Sequence, residues 1–207
     1  MYALTYKKKS CFSKLVSLIL KHKILTLCFV LGIYQFSGGV FIYAKATLGQ
    51  YLIADAWHKN LQSDKTHKPW PWADTHPIAE LILNNKSWFV LAGASGRNLA
   101  FAPTHVSSTV EPGENGNSVI IGHRDTQFAE LQRLQKGDIV KVRTKHGYQK
   151  FEVTQLRIAL IDQVNLMLSD SNFYDDQAPS LTLITCYPFD SMRPNPTHRY
   201  VVKATAI

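Results

Sequence analysis

From Ile24 to Ala44 the chain runs ILTLCFVLGIYQFSGGVFIYA, twenty-one positions with no Asp, Glu, Lys, Arg or His. At about 1.5 Å of rise per residue this stretch reaches across the roughly 30 Å hydrocarbon layer of a bilayer, so the pattern predicts one spanning helix. The period then changes. In residues 46–61, ATLGQYLIADAWHKNL, Leu48, Leu52 and Ala56 fall on one helical stripe with Ile53, Trp57 and Leu61 beside it, which predicts a short amphipathic helix. Gln62 to Pro77 is polar and proline-rich and reads as a linker wrapping onto the domain that follows, with Trp70 and Trp72 as buried anchors of the wrap. Beyond it short β-type runs alternate with turn residues: Ser87 to Ala92, Ser118 to Gly122, Ile139 to Arg143, Tyr148 to Leu160, Leu181 to Thr185 and Tyr200 to Ala204. Lys145-His146-Gly147 between two of these runs marks a β-hairpin. Six or seven short strands with few helices predict a mostly β domain, closed or nearly closed into a barrel. The organisation read from the pattern is a leader over 1–23, a span over 24–44, an amphipathic helix and Pro/Trp linker over 45–77 and a β domain over 78–207.

Charge decides which side of a membrane that domain occupies. Of 207 residues 18% are charged, and the net charge is +8. Residues 1–45 hold seven lysines and no acid, whereas the remainder carries sixteen Lys and Arg against fifteen Asp and Glu. The β domain is thus almost neutral, and nucleic-acid binding loses its electrostatic basis. Six of the seven lysines precede the apolar run, which predicts a cytoplasmic N-terminus, a single-pass signal-anchor in the cell inner membrane and an exported, periplasmic domain. A cleavable signal peptide is the alternative, because Ala44-Lys45-Ala46 has the small-x-small form of a cleavage site, but the apolar run exceeds the usual signal core.

Cys11 and Cys28 lie in the leader and the span, so Cys186 is the single cysteine of the exported part. A lone thiol in an oxidising compartment is either buried and inert or used. Cys186 closes the run from Ser180 to Thr185 just before a proline loop, His123 follows the apolar strand Ser118 to Gly122, and Arg199 opens the run Tyr200-Val201-Val202. A thiol, an imidazole and a guanidinium at strand ends are chemically sufficient for acyl transfer. Arg193 and Arg124 compete for the arginine role, but Arg193 sits between prolines and Arg124, next to His123, would point away by strand alternation. His198 is a bystander by the same argument, Asp125 either orients His123 or pairs with a nearby base, and His67, His76, His105 and His146 have no supporting context. No Cys-x-x-Cys or His-x-x-x-His spacing accompanies Cys186, His123 and His198, no acidic cluster has calcium-ligand spacing, and no nucleotide, flavin or pyridoxal motif occurs, so neither metal nor organic cofactor is expected.

The residues are more specific than their spacing. Thr182-Leu183-Ile184-Thr185-Cys186 matches the TLxTC signature of sortases, with Gly122-His123 and Arg199 at the positions of the sortase histidine and arginine. Four blocks resemble the Gram-negative branch of that family: Lys68 to Asp74, Leu91 to Arg97, Gly122 to Thr126 and Thr185 to Asp190. The resemblance runs from about Lys45 to the C-terminus. It implies an eight-stranded sortase β-barrel with short helices behind a membrane anchor, Cys186 as nucleophile, His123 as acid/base and Arg199 as oxyanion and substrate-positioning residue, with Thr185 orienting substrate beside the thiol. The implied substrate is an exported protein with an LPxTG-like C-terminal sorting signal, cleaved between Thr and Gly through a thioacyl enzyme and passed to an amine acceptor. Two alternatives stay open on sequence alone: a cysteine peptidase that resolves the intermediate with water, and a non-catalytic membrane-tethered peptide-binding module.

Overall fold

The protein is described by a computed structural model that covers residues 21–169, 178–191 and 196–207. Most of the basic leader, and Arg193 with part of the proline loop after Cys186, lie outside the described residues. The chain divides into two compact units, Met1–Thr47 and Leu48–Ile207. Helix α1, Lys23–Gln62, supplies the described part of the first unit and opens the second. Its apolar window has mean hydropathy 1.8 and none of it is buried against protein, as suits a lipid-facing helix. No break separates the expected span from the expected amphipathic helix. In the second unit the helix buries Gly49, Ile53, Ala56 and Trp57 and exposes Leu48, so the buried stripe is displaced from the one read from sequence.

Eight strands close the second unit: β1 Pro77–Leu83, β2 Lys86–Ala92, β3 Thr104–His105, β4 Gly116–Ile121, β5 Ile139–Thr144, β6 Gly147–Leu160, β7 Pro179–Tyr187 and β8 His198–Ala206. They form a closed barrel in the order β1-β2-β3-β4-β7-β8-β6-β5, and β5 pairs back onto β1. Two neighbouring pairs, β2·β3 and β4·β7, are parallel. The hairpin marked by Lys145-His146-Gly147 joins β5 to β6, with Thr144 paired to Gly147. Gly147 takes φ +126°, which a Cβ would oppose.

Two strands were not legible. β1 (PIAELIL) lacks the β-branched run of a typical strand, and β3 is too short to show a period. A usable signal for β1 sits at its end. Asn84 and Asn85 turn the chain into β2 with φ of 49° and 64°, the left-handed pair that two-residue hairpins require and that Asn tolerates. Two short helices, α2 Gly96–Leu99 and α3 Ile161–Ser169, and a 3-10 helix at Ala129–Arg133 complete the described elements.

The barrel interior is filled by Leu81, Leu83, Val90, Ile120, Phe128, Val140, Phe151, Leu181, Leu183 and Val202, all fully buried. A second apolar cluster, Val119, Ala159, Val164, Ile184 and Val201, lies on the outer face of β4, β7, β8 and β6, where Val164 and Leu168 of α3 cover it. Leu181 to Thr185 (LTLIT) accordingly carries no charged residue, and its two threonines spend their hydroxyls on Asn117 and the Gly122 carbonyl. The strand is buried on both faces instead of one.

The polar linker carries one of its two expected anchors. Trp70 packs on Phe101 with ring centroids 5.3 Å apart, but Trp72 is 82% exposed. The cause is a tight turn in which Ala73 N–H donates to the Trp70 carbonyl at 3.0 Å. Pro69, Trp70 and Ala73 face the protein while Pro71 and Trp72 form the outward corner.

Candidate active site

The residues singled out by sequence gather at one rim. Cys186 on β7 is directly paired with Arg199 on β8, and Arg199 in turn with Ala159 on β6. Directly paired residues of antiparallel strands share a face. Alternation identifies that face: Ile184, two residues before Cys186, and Val201, two residues after Arg199, both belong to the outer cluster.

His123 is brought level with the thiol by the parallel pair. Ile121 is paired with Ile184, and beyond the end of β4 Gly122 N–H donates to the Ile184 carbonyl at 3.2 Å. Thr185 Oγ1 donates to the Gly122 carbonyl at 2.7 Å in a fully buried position. Gly122 is thus bonded to β7 through both its backbone groups, and the next residue stands at the level of Cys186. Only glycine fits, since a Cβ there would sit 2.7 to 2.9 Å from three ring carbons of buried Phe128.

The turn after Gly122 is held from within. His123 N–H donates to Gln127 Oε1 at 2.8 Å, Gln127 Nε2 donates to the Leu99 carbonyl at 3.2 Å, and Phe128 N–H returns to the His123 carbonyl at 2.8 Å. This leaves the His123 side chain exposed to solvent while its backbone is fixed. Arg199 is half-buried, and its Nη1 donates to the carbonyls of Pro196 at 2.8 Å and His198 at 3.0 Å, which seats the guanidinium at the foot of the loop joining β7 to β8.

A Sortase-domain family profile matches residues 83–207, more than half of the chain. The chain belongs to the sortase family. Sortase D of Bacillus subtilis (strain 168) is 29% identical over 125 residues, which are 60% of this sortase and 60% of that protein, so the match spans less than two thirds of the curated relative. Among solved structures a Clostridium perfringens sortase D5 transpeptidase superposes with TM-score 0.60 at 19% identity, covering 78% of this chain and 99% of the other. Sortase A from Corynebacterium diphtheriae gives 0.56 at 23%, covering 66% and 63%. At those identities the structural likeness speaks for the fold, and the eight-stranded closed barrel agrees with it.

Other expected residues fall outside the rim or take another part. Thr185 spends its hydroxyl on the Gly122 carbonyl. Asp125 is exposed in the turn, and among the described residues no hydrogen bond joins it to the His123 ring. Arg124 reaches across to the loop that follows Cys186, where its Nη2 donates to the Ser191 carbonyl. His105, which had no context in sequence, is buried: its Nε2 lies 2.8 Å from the Val110 carbonyl and 2.9 Å from Thr109 Oγ1, so Nε2 carries the proton. Burial holds the His105 ring below the usual histidine pKa, outweighing the Val110 bond.

Sequence reasoning missed Gln127 and an aromatic trio on the opposite face of β7 and β8 from Cys186 and Arg199, where Phe189 and Tyr200 pack against the barrel core. Tyr187 stacks on Tyr200 at 6.3 Å, and Phe189 meets both rings edge-on. Burial, with Tyr187 as a second cause, pushes the Tyr200 phenol above its usual pKa. The spacing Tyr187, Phe189 and Tyr200 around the Cys186 and Arg199 positions was a readable signal; nothing in sequence marks Gln127. A separate cavity of about 490 Å³, lined by residues such as Trp57, His76, Glu111 and Lys145, includes none of the rim residues. Among the described residues no group of three or more His, Cys, Asp or Glu is placed to hold a metal ion.

Proposed function

We propose that this sortase is a membrane-anchored cysteine transpeptidase of the Gram-negative branch, its N-terminus cytoplasmic, its α1 spanning the inner membrane and its barrel periplasmic. The single observation that carries the reading is the row Cys186, Arg199 and Ala159 across three strands, with His123 brought to the same level by the β4·β7 register.

In this reading the Cys186 thiolate attacks the Thr carbonyl carbon of an LPxTG-like sorting signal. Arg199 stabilises the oxyanion with a fixed, forked set of donors. The Thr–Gly bond breaks, His123 protonates the departing glycine amine, and a thioacyl enzyme remains. An acceptor amine then gives a proton to His123 and attacks the thioester carbonyl, an amide forms, and the thiolate is released. Thr185 acts as a positioning residue through Gly122.

The test incubates the full chain in detergent with an LPxTG-like peptide, with and without an amine, and follows intact-protein and peptide mass. The expected result is a thioacyl adduct on Cys186 that passes to the amine and is abolished in Cys186→Ala and His123→Ala. Release by water alone, with amine present, would replace transpeptidation by peptidase activity. A folded protein with a free thiol and no adduct from such peptides would overturn the assignment.

A further inference from the structure

His123 is fastened through both of its neighbours in the chain. Gly122, on one side, is bonded to β7 at Ile184 and Thr185, the two residues that precede Cys186. Arg124, on the other side, reaches the chain beyond Cys186, where its Nη2 donates to the Ser191 carbonyl. β4 ends at Ile121, so strand alternation does not apply at Arg124 and its long side chain can span two loops. The turn that carries the imidazole thus grips the strand that carries the thiol both before and after the nucleophile.

The two grips differ in kind. The Gly122 bonds prolong the parallel register of β4 and β7 and end with it. The acceptor of Arg124 stands on a segment with its own footing: Phe189, two residues before Ser191, packs against the barrel core and meets Tyr200 at 5.3 Å and Tyr187 at 6.2 Å. A guanidinium is always charged and its planar fork loses little freedom per bond formed, so the contact is stiffer than a neutral side chain would give. The bonds within the turn, from His123 N–H to Gln127 and from Phe128 N–H to the His123 carbonyl, fix its backbone without tying it to Cys186. The His123 side chain itself is exposed.

We infer that Arg124 is a positioning residue for acyl transfer: by clamping the His123 turn to the segment that follows Cys186, it holds the imidazole at the distance from the thiol at which proton delivery to the leaving amine succeeds. The guanidinium acts through His123 and does not touch the substrate. The inference rests on the reading of Cys186 and His123 as nucleophile and acid/base. A misplacement of about 1 Å between groups that cooperate in a transition state costs on the order of 10²-fold in rate.

The test uses the full chain in detergent and replaces Arg124 by Met, which keeps the apolar stem and removes the donor. Alkylation of Cys186 by iodoacetamide is followed by peptide mass, because Cys11 and Cys28 also carry thiols. This reaction consumes the thiolate and forms no oxyanion, so it reports the imidazole beside the thiol without any peptide. Arg124→Met and His123→Ala are each expected to slow alkylation. The double variant is expected to be no slower than His123→Ala, since a residue that acts through the imidazole has no effect once the imidazole is gone. With an LPxTG-like peptide the kcat of acylation is expected to fall about 10²-fold in Arg124→Met at unchanged KM, and Arg124→Lys, which retains a donor for the carbonyl, to recover part of the loss. Losses that multiply in the double variant, or a peptide KM that rises while kcat holds, would mean that Arg124 supports the loop or the peptide instead, and overturn the inference. A native alkylation rate in Arg124→Met overturns it as well. A native rate in His123→Ala would instead remove the thiol–imidazole pair on which the proposed reaction depends.

Discussion

Replacing Gly122 by alanine isolates the device that sets the level of His123. The added Cβ would stand 2.7, 2.8 and 2.9 Å from Cγ, Cδ2 and Cδ1 of Phe128, and ordinary contact begins near 3.4 Å. The ring must retreat by more than half an ångström, yet Phe128 is fully buried in the barrel core with Ile120, Leu131 and Leu134. Overpacking of this kind costs about 1 to 3 kcal/mol. For a domain of this size that corresponds to a fall in melting temperature of about 2 to 12 °C. Phe128 also donates its N–H to the His123 carbonyl, so displacement of the ring is passed to the turn carrying the imidazole. Acylation by the sorting peptide is therefore expected to fall well below wild type even at temperatures where Gly122→Ala is fully folded. The assay is a double-mutant cycle read by thermal unfolding and by adduct formation on Cys186. Phe128→Leu alone destabilises, but combined with Gly122→Ala it makes room for the methyl group, so the double variant is more stable than the sum of the singles. Strictly additive losses, or a Gly122→Ala protein with unchanged melting temperature and acylation, would refute the steric argument.

Thr185→Val leaves the Gly122 carbonyl without its buried donor and is expected to cost about 1 to 3 kcal/mol with a matching loss of acylation, whereas Thr185→Ser retains both, measured by denaturant unfolding and adduct yield. Arg199→Lys keeps the charge but not the fork and should lower the acylation rate by about 10² to 10³ with little change in unfolding. The folded pKa of His105 is depressed, so the unfolded chain binds more protons below the ordinary histidine value of about 6.5. The contribution of His105 is therefore present above that pH and is lost as pH falls towards the folded pKa. Melting temperature between pH 7.5 and 5 should drop more steeply in the native chain than in His105→Gln, and equal slopes would count against it. Asn85→Val places a β-branched residue at φ 64° and is expected to cost about 1 to 2 kcal/mol by thermal unfolding.

What could be read in advance follows from where local pattern and tertiary structure agree. The β5–β6 hairpin was legible because its turn residues and flanking alternation say the same thing, and the strand-end positions of Cys186, His123 and Arg199 because polar residues there interrupt apolar runs. β1 was not, since its leucines, alanine and glutamate suit a helix as well as a strand and only the closure of the barrel onto β2 and β5 decides. Trp72 was misread for a related reason: composition says that a Trp is buried, but the Trp70 to Ala73 turn sends adjacent aromatics to opposite sides. The continuity of α1 through Lys45 escaped notice because the switch from an exposed apolar stretch to protein-facing burial mimics a boundary between two helices.

The double-sided burial of β7 also sets a hierarchy of motion at the rim. A strand covered on both faces and paired along both edges can expose its amides only in openings that approach global unfolding. Cys186 therefore sits at the end of the segment expected to exchange its amide protons most slowly, whereas His123 belongs to an exposed turn held by a handful of bonds. Changes in the separation of the Cys186 thiol and the His123 imidazole are therefore expected to come from the exposed His123 side chain, with the end of β7 as the fixed reference.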